Sequence, residues 1–148
     1  SIDSSAAAIT VGAKHALRFG TDSRHGFLRE DVKLALERLR AEKREFDLVV
    51  LDPPKLAKTV RDLDNARRAY RKLNANGASL VAKGGLLVTC SCSGAMKLDD
   101  FLRTAAIGAS DVGRQLTLLR VGEAGADHPV PAVFETGRYL KAACFRVS

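Results

Sequence analysis

Apolar residues occur in short runs along the chain, and several of the polar segments between these runs carry apolar residues at a helical period. The clearest run is FDLVVL, residues 46–51. Apolar side chains on both faces are typical of a central strand in a parallel sheet. Further strands are predicted at residues 2–3, 26–28, 86–89, 116–121 and 139–147.

Four helices are predicted between these strands. The first follows Ser4 and Ser5, whose side chains are typical N-caps, and ends before Gly20. The others cover about residues 32–39, 59–83 and 98–112. We expect Gly84 and Gly85 to end the third helix.

The order of these elements predicts the fold class. Strands alternate with helices, which is typical of an α/β domain with a mostly parallel sheet. The connection GEAGADHPVPAVFETG has no helical period, so the last two strands are predicted to pair antiparallel. No linker or repeat interrupts the pattern, and residues 1–148 are predicted to belong to a single domain.

Composition and charge narrow the class of protein. The chain has 148 residues, of which 46% are hydrophobic and 28% charged, as in one globular domain. No apolar run approaches the roughly 18–20 residues of a membrane helix, and the N-terminus lacks the pattern of a signal peptide. With only three cysteines, these features predict a cytoplasmic protein with no membrane partner. The net charge of +7 favours a polyanionic partner such as nucleic acid.

Acidic and thiol side chains, which can take part in catalysis or ligand binding, follow four of the predicted strands. In an open parallel sheet, ligands bind beyond the carboxyl ends of the strands. Those positions hold one or two acids or thiols each: Asp3; Glu30 and Asp31; Asp52, followed by Pro53, Pro54 and Lys55; and Cys90 and Cys92.

These residues also have simpler interpretations. Asp3 and Asp31 each precede a helix and are equally well explained as N-caps. A cysteine is often a small buried apolar residue, which is an alternative for Cys92. The spacing of the cysteines and His128 matches no standard zinc pattern, so no metal site is predicted.

The Asp-Pro-Pro sequence is harder to explain as a simple turn. Proline fixes its own φ, donates no hydrogen bond and restricts the preceding residue to extended conformations. Asp52 and the carbonyls after it would therefore form a rigid set of acceptors, which suits the edge of a planar base.

Five segments together resemble a known family: FDLVVLDPPK, RRAYRKLN, KGGLLVTCSCSG, ADHPV and ETGRYLKAACFRV. They are similar, in order and over essentially the whole chain, to the C-terminal catalytic part of the RlmI-like ribosomal RNA cytosine-5 methyltransferases. The combination of DPPK with SCSG about forty residues later is the specific part of this resemblance. It implies a Rossmann-like class I fold that uses S-adenosylmethionine.

The resemblance also implies roles for particular residues. Asp3 matches an acid that binds the cofactor ribose, and Asp31 matches a residue that contacts the adenine. Asp52 and Pro53 would line the space between the methyl donor and the target base, with Pro54 and Lys55 towards the RNA. Cys92 matches the cysteine of SCSG, whereas Cys90 falls where relatives often carry an apolar residue.

Part of the family pattern is absent. The first strand and its glycine-rich loop would lie upstream of Ser1, so we expect a C-terminal part of the catalytic domain. On that expectation this chain binds cofactor poorly alone and associates with the missing N-terminal part or with a second copy. Large-subunit ribosomal RNA is the expected partner.

Two other functions remain open. An amino-group methyltransferase would use Asp52, Pro53 and Pro54 to accept hydrogen bonds from an amine and would not need a cysteine. A non-catalytic RNA-binding fragment would depend on positive charge alone, with salt-sensitive binding.

Overall fold

The computed structural model describes residues 1–134 and 137–148. The chain divides into two compact units, an N-terminal unit, Ser1–Glu42, and a C-terminal unit, Lys43–Ser148. The first two residues of the segment ETGRYLKAACFRV, 135 and 136, lie outside the described residues.

The N-terminal unit contains two short strands and two helices: β1, Ile2–Asp3; α1, Ala6–Arg18; β2, Leu28–Arg29; and α2, Val32–Ala41. β1 and β2 pair in parallel. The Ser5 hydroxyl accepts a hydrogen bond from the Ala8 amide and so caps α1, as predicted. The helix ends at Arg18, and Gly20 adopts a φ of +63°, a conformation that glycine takes without strain.

The C-terminal unit contains four strands and two longer helices: β3, Phe46–Leu51; α3, Leu63–Ser79; β4, Val81–Ser91; α4, Leu98–Ser110; β5, Leu116–Gly122; and β6, Lys141–Val147. The strand order is β3-β4-β6-β5. β3 and β4 are parallel, and β6 is antiparallel to both β4 and β5. The antiparallel pairing of the last two strands is thus confirmed.

Helices α3 and α4 cover one face of this sheet. Two buried clusters form there, one of which joins Leu51, Leu87 and Val147 to both helices through Ala78 and Ala109. The second cluster surrounds Tyr70 and Phe101, whose rings meet edge to face at 5.3 Å between centroids. Ala57, Met96 and Ala143 belong to this second cluster, so the segments after β3 and β4 are anchored in the same core.

Strand β3 differs from the expected central strand. Within the described residues it pairs only with β4, and Leu48 and Val50 on its second face are 52% and 58% exposed. β1 and β2 form a two-stranded sheet of their own, and the other four strands form a second sheet.

The boundary between α3 and β4 also differs from the prediction. The helix ends at Ser79 and the strand already begins at Val81, so Gly84 and Gly85 lie inside β4 rather than at a helix end. Gly85 is required there, because a Cβ would lie 2.8 Å from the Asp47 carbonyl oxygen. The helical period of Leu80 and Val81 was misleading because both residues are buried in the core in any case.

Candidate functional site

The carboxyl ends of β3 and β4 lie side by side and bring Asp52 close to the cysteine pair. In the parallel register Leu51 pairs with Thr89, which places Asp52 across from Cys90. Burial and the Asp52 carboxylate both raise the pKa of the Cys90 thiol. This strand-end arrangement is therefore acidic on the β3 side and carries thiols on the β4 side.

The turn that carries Cys92 is held by buried side chains. The hydroxyl of Tyr70, a residue with no exposed surface, donates to Ser91 Oγ at 2.9 Å and lies 3.4 Å from Ser93 Oγ. The Ser93 amide donates to Ser91 Oγ at 3.3 Å. Ser91 and Ser93 are buried on either side of Cys92, which is itself half-buried. These bonds hold the residues on both sides of Cys92 and so restrict its backbone.

The segment after β3 is tied to the same turn. The Ala57 amide donates to Ser93 Oγ at 3.0 Å, so the residues that follow Lys55 are fixed to the cysteine turn. Asp52, Pro54 and Lys55 are exposed, and Pro53 is half-buried. The acceptors proposed from the sequence are therefore accessible to a ligand.

Lys141 is a residue of this region that the sequence analysis missed. It pairs with Ser91 at the start of β6, and its Nζ donates to the carbonyl oxygens of Ser93 at 3.1 Å and Tyr139 at 2.8 Å. Along KAACFRV the buried positions alternate, and the lysine occupies one of them. In the sequence, this residue could have been identified as a lysine at a strand position where the alternation predicts a buried apolar side chain.

The N-terminal unit holds the other two predicted cofactor residues, Asp3 and Asp31. Asp31 is the N-cap of α2 and accepts from the amides of Lys33 and Leu34. Asp3 accepts from the Ser5 amide at 2.6 Å, next to the N-terminus of α1. Each carboxylate uses Oδ1 for these bonds, and both residues are exposed. The capping role of Asp31 is confirmed, and the cofactor roles of both residues remain predictions.

The remaining candidate features are metal ligands, His25 and membrane-spanning helices. Among residues 1–134 and 137–148 no group of three histidines, cysteines or acids is placed to hold a metal ion. His25 stacks on Phe27 and contacts the Ser1 hydroxyl. No helix in the described part of the chain has the length and apolar character needed to cross a membrane.

The sequence matches no family model, but it is similar to curated proteins along nearly its whole length. It is 38% identical to ribosomal RNA large subunit methyltransferase I of Erwinia tasmaniensis over 148 residues, which are 99% of this chain and 37% of that protein. The protein of the same name from Alteromonas mediterranea is 35% identical over the same shares. The chain therefore spans little more than a third of the length of these relatives.

Solved structures show the same fold. A Streptococcus mutans protein assigned to the SAM-dependent methyltransferases superposes with a TM-score of 0.81 at 20% identity, covering 99% of this chain and 37% of that one. A methyltransferase homolog from Pyrococcus horikoshii gives a TM-score of 0.64 at 18% identity, over 98% and 52%. The resemblance found in the sequence is thus confirmed: the chain has the fold of SAM-dependent methyltransferases and is similar, over nearly all its length, to a segment of ribosomal RNA large subunit methyltransferase I.

Proposed function

We propose that this chain is part of a methyltransferase that uses S-adenosylmethionine to methylate carbon 5 of a cytosine in ribosomal RNA, with Cys92 as the nucleophile. The observation that carries the proposal is the Cys92 turn, which a buried hydrogen-bond network holds beside the exposed carboxylate of Asp52. The similar curated proteins are named as ribosomal RNA methyltransferases. Since the chain spans only 37% of their length, the complete activity is a proposal for the longer protein.

The carboxylates of the N-terminal unit fit the cofactor chemically. Asp3 and Asp31 stand at the carboxyl ends of the paired strands β1 and β2, and each keeps its Oδ2 out of the helix-capping bonds described above. Such oxygens accept hydrogen bonds from groups like the ribose hydroxyls and the adenine amino group of S-adenosylmethionine. When bound, this cofactor supplies an electrophilic methyl group on a sulfonium.

Cys92 makes carbon 5 reactive. Its thiolate forms a bond to carbon 6 of the cytosine, and the electron pair of the 5,6 double bond makes carbon 5 enamine-like. With its electron pair, carbon 5 would form a bond to the methyl group that the bound cofactor would supply. A base removes the carbon 5 proton, the double bond reforms, and the bond between carbon 6 and Sγ breaks to return the thiolate.

Cys92 is a better nucleophile for this reaction than Cys90. Burial and the negative charge of Asp52 raise the pKa of Cys90 and keep it as a thiol at neutral pH. Cys92 lies beyond the last residue of β4. The charged group near Cys90 is a carboxylate, whereas the charged group hydrogen-bonded to Ser93, the neighbour of Cys92, is a lysine ammonium.

The segment after β3 would hold the target base. The Asp52 carboxylate accepts from the cytosine amino group or protonated ring nitrogen, while Pro53 and Pro54 keep it in place. Lys55 is exposed and would bind an RNA phosphate. The target must be unpaired or flipped out of its helix to reach such a site. The net charge of +7 favours RNA, and a ribosomal substrate would place the protein in the cytoplasm.

The proposal is tested in the chain extended through the upstream segment that its relatives contain. The wild type, Cys92→Ala and Cys90→Ala are incubated with unmodified ribosomal RNA and labelled cofactor, and modified nucleosides are identified by mass spectrometry. We expect 5-methylcytidine from the wild type and Cys90→Ala, and at least a roughly thousandfold slower reaction in Cys92→Ala.

Two outcomes would replace the proposal. Undiminished methylation of an amino nitrogen by Cys92→Ala would show an amino-group methyltransferase. RNA binding that weakens with salt but shows no methyl transfer and no heat of cofactor binding in the extended protein would show a non-catalytic RNA-binding protein. Calorimetric titration of the cofactor into the 148-residue chain tests separately whether this chain binds it alone.

A further inference from the structure

Lys141 is a buried cation beside the Cys92 turn. The residue is 8% exposed and occupies the first position of β6, opposite Ser91 at the end of β4. Within the described residues no carboxylate forms a salt bridge with it. A buried ammonium that has no counter-ion among the described residues is costly, so a lysine at this position requires an explanation.

One hydrogen bond of Lys141 goes to the residue that follows the cysteine. An ammonium has three N–H donors, and two of them reach the carbonyl oxygens of Ser93 and Tyr139. The third has no acceptor among the residues that the structure describes. Because Ser93 directly follows Cys92, the bond to its carbonyl fixes the backbone on which the thiol sits.

The charge of Cys92 also acts on Lys141. Burial lowers the pKa of the Lys141 ammonium, and the nearby Cys92 thiolate opposes that change. A thiolate would therefore supply the counter-ion that no described carboxylate provides. The two groups would stabilise each other when Cys92 ionises.

We propose that Lys141 is the positioning residue of Cys92: it fixes the turn through the Ser93 carbonyl and balances the charge of the thiolate. This rests on the proposed function of Cys92 as a nucleophile and assigns it the cation that a reactive cysteine needs.

Other charged groups face the same region. Lys97, Glu123 and Arg138 line, with Lys141, an open cleft of about 260 Å³. Asp52 and Cys90 lie on the neighbouring strand ends. Lys97 is exposed, and no bond from it to the cysteine turn is described. It is therefore a suitable control for loss of one positive charge from this cleft.

The test measures the reactivity of Cys92 in the extended protein rather than methyl transfer. Iodoacetamide alkylation of Cys92 is followed from pH 6 to 10 by peptide mass spectrometry in the wild type, Lys141→Gln, Lys141→Met, Lys141→Arg and Lys97→Met. Glutamine keeps donors for a carbonyl and loses the charge, so it separates electrostatics from positioning. Arginine keeps the charge.

We expect Lys141→Gln and Lys141→Met to react about tenfold more slowly at pH 7.5, with the rise in rate moved to higher pH. Lys141→Arg should recover much of the rate, and Lys97→Met should match the wild type. If Lys141→Met does not fold, Lys141→Gln, checked by its urea midpoint, carries the comparison. A folded Lys141→Gln with the wild-type rate and pH profile would overturn the proposal.

The alkylation experiment and the methyl-transfer experiment can fail separately. Alkylation requires neither RNA nor cofactor, so a wild-type profile in Lys141→Gln rejects the role of Lys141 even if Cys92 proves essential. Full methyl transfer by Cys92→Ala rejects the proposed function even if Lys141 controls the reactivity of the thiol.

Discussion

The two segments that follow β3 and β4 position their functional groups in different ways. After β4, Cys92 is fixed by hydrogen bonds among buried side chains from α3, β4 and β6, through Tyr70, Ser91 and Lys141. After β3, Asp52 is exposed and is followed by two prolines, which restrict the backbone covalently. The half-buried thiol is held by neighbours that the tertiary structure supplies, whereas the exposed carboxylate is held by the local sequence.

The largest expected effect is from Tyr70→Phe, which removes the hydroxyl that Ser91 and Ser93 share. Leaving buried polar groups without a partner should lower the free energy of unfolding by about 1–3 kcal/mol, measured by urea denaturation. The amides of Ala57 and Ser93 should also exchange faster with solvent, because both donate into this network.

The second tyrosine provides a matched control for this change. Tyr139 is 45% exposed and contributes only its carbonyl to the site. Tyr139→Phe should change the free energy of unfolding by less than about 0.5 kcal/mol. Equal effects of the two substitutions would show that the buried network does not hold the cysteine turn.

A smaller effect is expected from Pro54→Ala in the segment after β3. Losing the proline increases the entropy of the unfolded chain and should cost about 0.4–1 kcal/mol in the same urea experiment. Exchange at the Ser93 amide should remain at the wild-type rate. If Pro54→Ala accelerated that exchange as much as Tyr70→Phe does, the two segments would be one coupled unit and the contrast between them would fail.

The smallest expected effect concerns the charge of Asp52. Its carboxylate opposes ionisation of Cys90 and helps to raise that pKa, so Asp52→Asn should lower the pKa and increase the thiolate fraction at any pH below it. We expect alkylation of Cys90 at pH 7.5 to become about twofold faster. Asp99→Asn, at an exposed position in the first turn of α4, should have no effect. An unchanged rate in Asp52→Asn would mean that burial alone raises the pKa.

Locally determined features were predictable from the sequence. The Ser5 cap, the end of α1 before Gly20, the cap at Asp31 and the strand of residues 46–51 depend on side chains within a few positions of one another. The segments DPPK and SCSG could be recognised for the same reason. Each follows a strand, and the carboxyl ends of two paired parallel strands lie at the same edge of the sheet.

Features that depend on distant packing were not predictable. Gly77 lies inside α3 because a Cβ there would come 2.7 Å from a Leu51 methyl group, and only the packed structure shows that α3 ends just beyond it. β3 was predicted to be central, yet within the described residues it is an edge strand. Strand neighbours depend on pairing partners that are far apart in sequence.

The α/β pattern, the strand-end acids and thiols, and the resemblance to the methyltransferase family all follow from the order of residues along the chain. The surroundings of Cys92 depend on how the chain folds. Tyr70 and Lys141 lie 22 positions before and 49 positions after it in the sequence, and no local pattern links them. They come close to the cysteine turn because α3 packs on the sheet and β6 pairs with β4. The polar groups of both residues are buried there, so hydrogen bonds within the protein must satisfy them.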